Sequence, residues 1–241
     1  MNKGCVAIID SGIGGFSVLA EAVKELKGER FLYLGDNKNA PYGNKSEGEL
    51  YALMRQNLDS VLRYDVKAVV VACNTLSMSV LPLVASVYRT PLFGVYPPVN
   101  ERQGKTFLFA TPVTCSYFKS EKDMTLFPLE KLAADIENNK SDLGKVDVTE
   151  HIKKALTNGS PDTVILGCTH YFFVKNQFID HFCPRKVLSG EEYTVKRLRN
   201  FLLENELTAN NKDFSVDFIG DNAEENFNFY NSVVKNIIFN K

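Results

Sequence analysis

The sequence predicts an α/β protein made of two similar α/β units, each with a central, mostly parallel sheet. Short apolar runs of strand length alternate with longer segments of helical periodicity, which is typical of α/β folds. The run at 68–72 is continuous and β-branched, as in parallel strands that are buried on both faces. Two strands end in a cysteine followed by polar residues, at Cys73 and Cys168, one in each half of the chain.

The first half begins with a buried strand that runs into a glycine-rich turn at 10–15. The helix after this turn carries Phe16 and Leu19 on one face, and 47–63 forms a second, amphipathic helix. The predicted strands of this half are 5–9, 31–34, 68–72 and 92–95.

The pattern restarts after 91–100, where Pro97 and Pro98 stiffen a crossing, so we expect a domain boundary there. The predicted strands of the remaining chain are 107–111, 163–166 and 215–219. Its predicted helical segments are 121–138 (interrupted at Pro128), 148–156, 193–203 and a last helix after residue 221.

Charge and hydropathy exclude several classes of protein. The 241 residues include 28 basic and 29 acidic side chains, and the net charge of −1 lacks the basic surplus of a general nucleic-acid binder. No apolar run approaches the roughly 18 residues that span a bilayer. The N-terminal apolar stretch ends at Asp10 and is too short for a secretory signal. We therefore expect a cytoplasmic protein without nucleic-acid or membrane partners.

The five cysteines do not suggest a disulfide framework, because their number is odd and the chain is not small. Cys73 and Cys168 stand where an apolar strand gives way to polar residues, which suits partly exposed thiols with tuned acidity. Burial as small core residues is the alternative for both. Cys5, Cys115 and Cys183 are interpreted as packing residues.

Histidines near these thiols raise the questions of proton transfer and of metal binding. His170, two residues after Cys168, is either a proton-handling neighbour of the thiol or a structural histidine. Cys168, His170, His181 and Cys183 form a C-x-H and H-x-C pattern, whereas common zinc sites use C-x₂₋₄-C pairs. We therefore expect no metal, and His181 is interpreted as packing among aromatic residues.

Two turns are candidates for anion binding. The turn at 10–15 lacks the third glycine of a dinucleotide fingerprint, since Ser17 occupies that position. It is either a plain turn or a turn whose backbone amides bind an anion, with Asp10 directed into a cleft. The loop Pro41-Tyr42-Gly43 is likewise a plain turn or a group of amides for a carboxylate.

If Cys73 and Cys168 face each other across a cleft between the two units, one can act as a thiolate base and the other as a thiol acid. Such a pair removes a proton from one face of a carbon and returns one to the opposite face, which inverts a stereocentre without a redox step. Asp10 and His170 could then tune the thiols or shuttle their protons.

The chain resembles the glutamate racemases of the aspartate/glutamate racemase superfamily, in order along nearly its whole length. The strongest elements are Asp-Ser-Gly-Ile-Gly-Gly at 10–15, Cys-Asn-Thr at 73–75 and Gly-Cys-Thr-His-Tyr at 167–171. The other matching elements are Gly35-Asp36, Pro41-Tyr42-Gly43, Lys45-Ser46, Gly94-Val95, Ala110-Thr111 with Thr114 and Ser116, and Gly220-Asp221.

This resemblance implies cofactor-independent interconversion of L- and D-glutamate, supplying D-glutamate for peptidoglycan. It implies Cys73 and Cys168 as the acid/base pair, with Asp10 near the first thiol and His170 near the second. The implied substrate-binding residues are Ser11, Pro41, Tyr42, Gly43, Asn74, Thr75, Thr111 and Thr169. Members usually form homodimers, so we expect a homodimer with glutamate as the small-molecule partner.

The resemblance also implies two similar α/β domains with the active site in the cleft between them. We expect the first domain at 1–97 plus 209–241, because the chain's end returns to it, and the second at 98–208. The second domain departs from the family pattern because it is short and lacks the Cys-Pro pair that precedes a Pro-Leu-x-Glu-like segment in the family. The remnant of that segment is Phe127-Pro128-Leu129-Glu130.

Glu130 is therefore a candidate assistant of the Cys168 side. Two other functions stay open at this point. One is a racemase of aspartate or another amino acid, and the other is a non-catalytic relative that binds an amino acid.

Overall fold

The computed structural model describes residues 4–239 and contains two parallel sheets. The strands are β1 Cys5–Asp10, β2 Arg30–Gly35, β3 Val66–Val71, β4 Leu92–Gly94, β5 Thr106–Ala110, β6 Met124–Pro128, β7 Thr163–Gly167, β8 Lys186–Ser189 and β9 Ser215–Phe218. The first sheet has the order β4-β3-β1-β2-β9 and the second β6-β5-β7-β8. Every pairing between these strands is parallel, which confirms the predicted fold class.

Helices connect and cover these strands. They are α1 Phe16–Glu25, α2 Glu47–Val61, α3 Asn74–Ser79, α4 Leu81–Val84, α5 Pro112–Ser116, α6 Leu132–Asn138, α7 Thr149–Leu156, α8 Lys175–Phe182, α9 Glu191–Glu204, α10 Ala223–Phe229 and α11 Lys235–Phe239. A π-helical turn, Tyr230–Val234, joins α10 to α11, and Thr169–Val174 is a 3₁₀ segment after β7. No helix within residues 4–239 is long and apolar enough to cross a membrane.

The central strands are buried on both faces, as their apolar sequences predict. All six residues of β1 and all five residues of β5 and β7 are buried. The edge strand β9 is instead half exposed, and its sequence alternates accordingly. One apolar cluster extends from Ile8 of the first sheet to Phe109 of the second, so the two sheets share a core.

The segment 121–138 differs from the predicted helix. Its first part is the strand β6, which pairs in parallel with β5, and only its second part is helical, as α6. Short apolar runs fit a strand or a helix by periodicity alone, and here pairing with β5 decides the outcome. The strand β8 was also not expected, because only Leu188 of its four residues is fully buried.

Helix α9 packs against α1 and β4 of the first sheet. Its Thr194 hydroxyl donates to the Gly94 carbonyl at 3.2 Å, and the Ser17 hydroxyl of α1 donates to Glu191 at 2.9 Å. The chain therefore returns to the first sheet before residue 208. The domain limits 97/98 and 208/209 remain predictions.

Candidate active site

A single cavity lies at the carboxyl ends of strands from both sheets. Cys73 follows β3 of the first sheet, and Cys168 follows β7 of the second. Parallel α/β sheets commonly bind ligands at this end, where the loops diverge. The residues that line the cavity are Ser11, Pro41, Tyr42, Gly43, Cys73, Asn74, Thr75, Thr111, Ala133, Cys168, Thr169 and His170.

The structure thus brings together nearly all of the residues singled out in the sequence. Of the predicted set, Asp10 and Glu130 are the two that do not line the cavity. Asp10 is fully buried directly behind it, where the Thr169 hydroxyl lies 3.5 Å from its Oδ1. The lining contains no Lys or Arg.

The cavity is narrow. The space open to the centre of a water molecule is about 10 Å³, which is room for about one water. Loops around sites of this kind commonly open and close around their ligands in enzymes.

Cys73 lies at the N-cap position of α3, beside a carboxylate. Burial raises the pKa of the Cys73 thiol well above its usual value, and the nearby negative charge of Asp10 raises it further. Hydrogen bonds from the Leu76 N–H and the Ser11 side chain oppose this shift. Within this unliganded cavity, Cys73 is therefore a neutral thiol that can donate a proton.

Asp10 is held by the turn that follows it. Its Oδ2 accepts the Gly12 N–H at 3.0 Å, and the Gly15 N–H is a second donor. Burial raises the pKa of Asp10, while the charge of His170 and these two amides act in the opposite direction.

Cys168 has a different neighbour, the imidazole of His170. Its sulfur lies 4.0 Å from Nδ1, while Nε2 lies 2.8 Å from Oε2 of Glu137. Burial alone would lower the pKa of His170, but its interactions with Cys168 and Glu137 outweigh burial and raise the pKa well above its usual value. A protonated His170 therefore lies between a sulfur and a carboxylate, an arrangement that stabilises a thiolate.

Glu137 is the site residue that the sequence analysis did not identify. It is 6% exposed, and its Oε2 also accepts the Ile13 N–H of the glycine-rich turn at 3.0 Å. Burial would raise the pKa of Glu137, but the bond with His170 and the contacts with Ile13 and Lys140 lower it overall. Glu137 thus ties the second sheet's helix α6 to the turn after β1.

Glu130 does not occupy this place, and its assistance of the Cys168 side stays a prediction. Its side chain is exposed, and its carbonyl accepts a 3.3 Å hydrogen bond from Asn44. A signal for Glu137 was present: it lies four residues after Ala133, so both share one face of α6, and Ala133 lines the cavity. This signal does not by itself indicate a site residue, because the sequence predicts helical segments interrupted at Pro128 and gives no position for the second of them relative to the cavity.

The glycine-rich turn binds carboxylates of the protein itself. Its Gly12 and Ile13 amides donate to Asp10 and Glu137, respectively. A Cβ on Gly14 would lie 2.5 Å from His170 Nδ1 and 2.6 Å from Thr169 Oγ1, so only glycine lets the second sheet approach this closely. The position of the missing third glycine is Ser17, whose hydroxyl donates to Glu191 of α9 at 2.9 Å.

Polar side chains of the cavity wall are partly committed to the protein. The Asn74 amide donates to the Val95 carbonyl at 3.1 Å, and the hydroxyls of Thr75 and Thr111 lie 3.0 Å apart. The Tyr42 hydroxyl forms a short hydrogen bond with Asp36 and accepts one from Asn57. Tyr42 and Gly43 both line the cavity, and their role in binding a carboxylate stays a prediction.

The remaining cysteines and His181 lie outside the cavity lining. Cys5 and Cys115 are buried, as predicted, but Cys183 is exposed at the left-handed end of α8, where φ is 44°. His181 is exposed as well and contacts the Thr149 hydroxyl at 3.1 Å. Because α8 carries both side chains to the surface, the packing role predicted for Cys183 and His181 is corrected. Residues 4–239 contain no cluster of three His, Cys, Asp or Glu side chains that could hold a metal ion.

Comparison with known proteins gives one consistent result. The chain is 36% identical over 242 aligned residues to the glutamate racemase of Clostridium botulinum, with 91% of this chain and 92% of that protein covered. No protein-family model matches the chain.

Solved structures agree with the sequence comparison. The glutamate racemase of Thermus thermophilus, in complex with β-chloro-D-alanine, superimposes with a TM-score of 0.78 at 27% identity and covers 95% of this chain and 92% of its own. The glutamate racemase of Francisella tularensis, in complex with D-glutamate, has the same fold, with a TM-score of 0.79 at 20% identity over 100% of this chain and 95% of its own.

Proposed function

The chain belongs to the glutamate racemase family, and on this premise we propose that it interconverts L- and D-glutamate by moving the Cα proton between Cys73 and Cys168. One observation carries the mechanism: the two thiols come from different sheets and line one cavity. Two proton carriers on separate walls are what inversion at a single carbon requires.

In the proposed reaction, a thiolate removes the proton from Cα, which leaves the electron pair of the C–H bond on that carbon. The opposite thiol then gives its proton to the other face of Cα. The second cysteine ends as a thiolate and the first as a thiol, so no electrons are gained or lost and no cofactor is needed. The reverse reaction exchanges the two roles.

The neighbours of each thiol support these roles. Protonated His170, held by Glu137, stabilises the thiolate of Cys168, whereas Asp10 favours the neutral thiol of Cys73. Once substrate enters, its ammonium group brings a positive charge that can offset Asp10. Proton transfer by groups positioned in this way contributes about 10²–10⁴-fold to a rate.

The substrate's carboxylates must be held without cationic side chains, because no Lys or Arg lines the cavity. We propose that Ser11, Asn74, Thr75, Thr111 and Thr169 supply donors together with the backbone of Pro41-Tyr42-Gly43. Fixed amide and hydroxyl dipoles in a water-excluded site stabilise negative charge that develops on the substrate. They would thus also stabilise the carbanion-like state next to the carboxylate.

The cellular role and the assembly of the protein are also proposed on the basis of the family. We propose that the protein supplies D-glutamate for peptidoglycan synthesis in the cytoplasm and that it acts as a homodimer. Sedimentation of the purified protein tests the assembly, and a single-chain mass would contradict it.

Incubation with L-glutamate in D₂O tests the activity directly. We expect the optical signal to decay to zero while deuterium enters Cα of the product, as followed by circular dichroism and ¹H NMR. A faster reaction with L-aspartate or another amino acid in a parallel panel would assign the protein to a different substrate. Binding of glutamate without Cα exchange would identify a non-catalytic relative.

A further inference from the structure

Lys140 lies two residues beyond the end of α6 and joins two carboxylates from different parts of the fold. Its ammonium group is 3.1 Å from Oε1 of Glu137 and 2.7 Å from Oε1 of Glu225. The Lys140 side chain is 24% exposed, so the bridge is only partly open to solvent. The cavity that holds Cys73 and Cys168 does not include Lys140 in its lining.

The two oxygens of Glu137 have separate partners. Oε2 contacts His170 Nε2 and accepts the Ile13 N–H, whereas the Lys140 ammonium is the sole partner of Oε1 among the described residues. Without Lys140, Oε1 of Glu137 would lose its charged partner. The Glu137 carboxylate, which belongs to a residue that is 6% exposed, would then be free to rotate away from His170. Buried charges that lose a partner carry a large energetic cost.

Glu225 gives this bridge a fixed anchor on the side of the first sheet. It lies in the first turn of α10, which packs against β2 and β9. Its Oε2 accepts hydrogen bonds from Asn37 at 3.0 Å and Asn222 at 3.2 Å. Asn37 lies between β2 and Pro41, so the bridge contacts the segment that leads to the cavity-lining residue Pro41.

We propose that Lys140 is a positioning residue for the racemisation reaction: it holds the Glu137 carboxylate against His170 and, through Glu225, ties that pair to the first sheet. This inference rests on the proposed function. An exposed lysine–glutamate pair contributes little by itself. Here the same ammonium group serves two carboxylates, one of which is buried against a residue next to the reacting thiol.

Charge gives the proposal a measurable signature. The titratable groups that face Glu137 are His170, Lys140, Asp10, Tyr33 and, across the bridge, Glu225. Lys140 contributes to lowering the pKa of Glu137, so its removal raises that pKa. If ionised Glu137 is needed for activity, a variant without Lys140 loses activity at a higher pH than the wild type as the pH is lowered. The acid limb of its pH–activity profile is then shifted to higher pH.

The experiment compares Lys140→Met with Lys140→Arg, Glu225→Gln and the control Lys145→Met. Lys145 lies five residues further on and forms an exposed pair with Asp142. We expect Lys140→Met to lower kcat/KM about tenfold, in the range caused by misplaced catalytic groups. The loss must be equal for both directions, because enantiomers have equal free energies. The acid limb should move to higher pH, Lys140→Arg should restore most of the activity, and Glu225→Gln should give a smaller loss.

An unchanged acid limb in Lys140→Met, or a failure of Lys140→Arg to restore activity, would overturn the proposal. So would an equal loss in Lys145→Met. The titration of the Glu137 carboxyl carbon by ¹³C NMR gives a second test that does not depend on turnover: its pKa should rise in Lys140→Met. If the wild type shows no racemase activity, the proposed function fails, while this titration still decides whether Lys140 holds Glu137.

Discussion

The surroundings of Cys73 and Cys168 differ in the charge of the group nearest each sulfur. Cys73 lies beside the Asp10 carboxylate, which together with burial raises the pKa of its thiol. Cys168 lies 4.0 Å from the imidazole of His170, whose own pKa is raised by Cys168 and Glu137. The two cysteines therefore differ in their ionisable neighbour as well as in position: a carboxylate lies beside Cys73 and an imidazole beside Cys168.

The two surroundings also differ in how they are built. On the Cys73 side, Asp10 is fixed by the amides of its own turn, two and five residues further along. On the Cys168 side, His170 is fixed by Glu137, which is 33 residues away in the sequence and belongs to a separate helix. A local turn therefore forms the acid side, and packing between distant segments forms the base side. The base side should respond more strongly to changes elsewhere in the fold.

The largest effect is expected from removing either thiol. Cys73→Ala and Cys168→Ala should each lower racemisation by about 10³-fold or more, since each removes one of two obligatory proton carriers. Each variant keeps one carrier, so it should still exchange the Cα proton of one enantiomer with solvent, and the two variants should exchange opposite enantiomers. Measurement by ¹H NMR in D₂O tests this. Cys73→Ala should exchange faster, because the thiol that it retains contacts His170 and not the Asp10 carboxylate.

Cys183→Ala is the matched control for these variants, because Cys183 is exposed and outside the cavity, and it should keep the wild-type rate. Inversion that survives in either single-thiol variant would contradict the two-carrier mechanism. Exchange of the same enantiomer by both variants would contradict the placement of the thiols on opposite faces.

An intermediate effect is expected from removing the charged group beside each sulfur. Asp10→Asn removes the negative charge next to Cys73, so the pKa of that thiol falls and its alkylation speeds up at neutral pH. His170→Asn removes the positive charge next to Cys168, so alkylation of Cys168 slows. Each rate should change about tenfold, in opposite directions.

Iodoacetamide labelling with peptide mapping by mass spectrometry measures both alkylation rates in one sample. The two thiols line one cavity, so a change in its opening affects both rates alike and leaves their ratio unchanged. The ratio of the Cys73 rate to the Cys168 rate should therefore rise in both variants, and a ratio that falls in either one would remove the contrast between the two sides.

The difference between local and distant contacts also explains what the sequence could predict. The Cys73 side was largely predictable, because Asp10, Ser11 and Cys73 all lie within two residues of the end of a buried strand. In parallel sheets those ends meet at one edge. The same argument placed Cys168 and His170, which follow the end of β7 directly.

Glu137 and Lys140 could not be placed in this way. They lie at the end of α6, and their contacts depend on β6 pairing with β5, which turns α6 toward the cavity. The apolar pattern of 121–138 is compatible with a helix as well as with this strand and helix. The resemblance to the family instead indicates Glu130, because it follows Pro128 and Leu129 in the family-like segment. Its position just beyond the end of β6 leaves the Glu130 side chain exposed.

The smallest effects should come from two buried tyrosines, one on each side. The Tyr33 hydroxyl donates to the Gly12 carbonyl at 2.8 Å, and the Tyr171 hydroxyl donates to the Leu129 carbonyl at 3.3 Å. Both rings are fully buried, so Tyr33→Phe and Tyr171→Phe should each lower the free energy of unfolding by about 1 kcal/mol. Urea denaturation measures this loss.

Activity should distinguish these two substitutions, although their effects on stability are similar. The Gly12 carbonyl accepts a hydrogen bond from Tyr33, while the Gly12 N–H donates to Asp10. Loss of the Tyr33 hydroxyl therefore lets Asp10 shift. We expect kcat to fall about threefold, which is less than the loss caused by a fully misplaced catalytic group. Leu129 makes no such contact with His170 or Glu137 in the described chain, so Tyr171→Phe should leave kcat unchanged. An equal fall in both variants would mean that the tyrosines act through general stability, and that the turn after β1 does not by itself hold Asp10 in place.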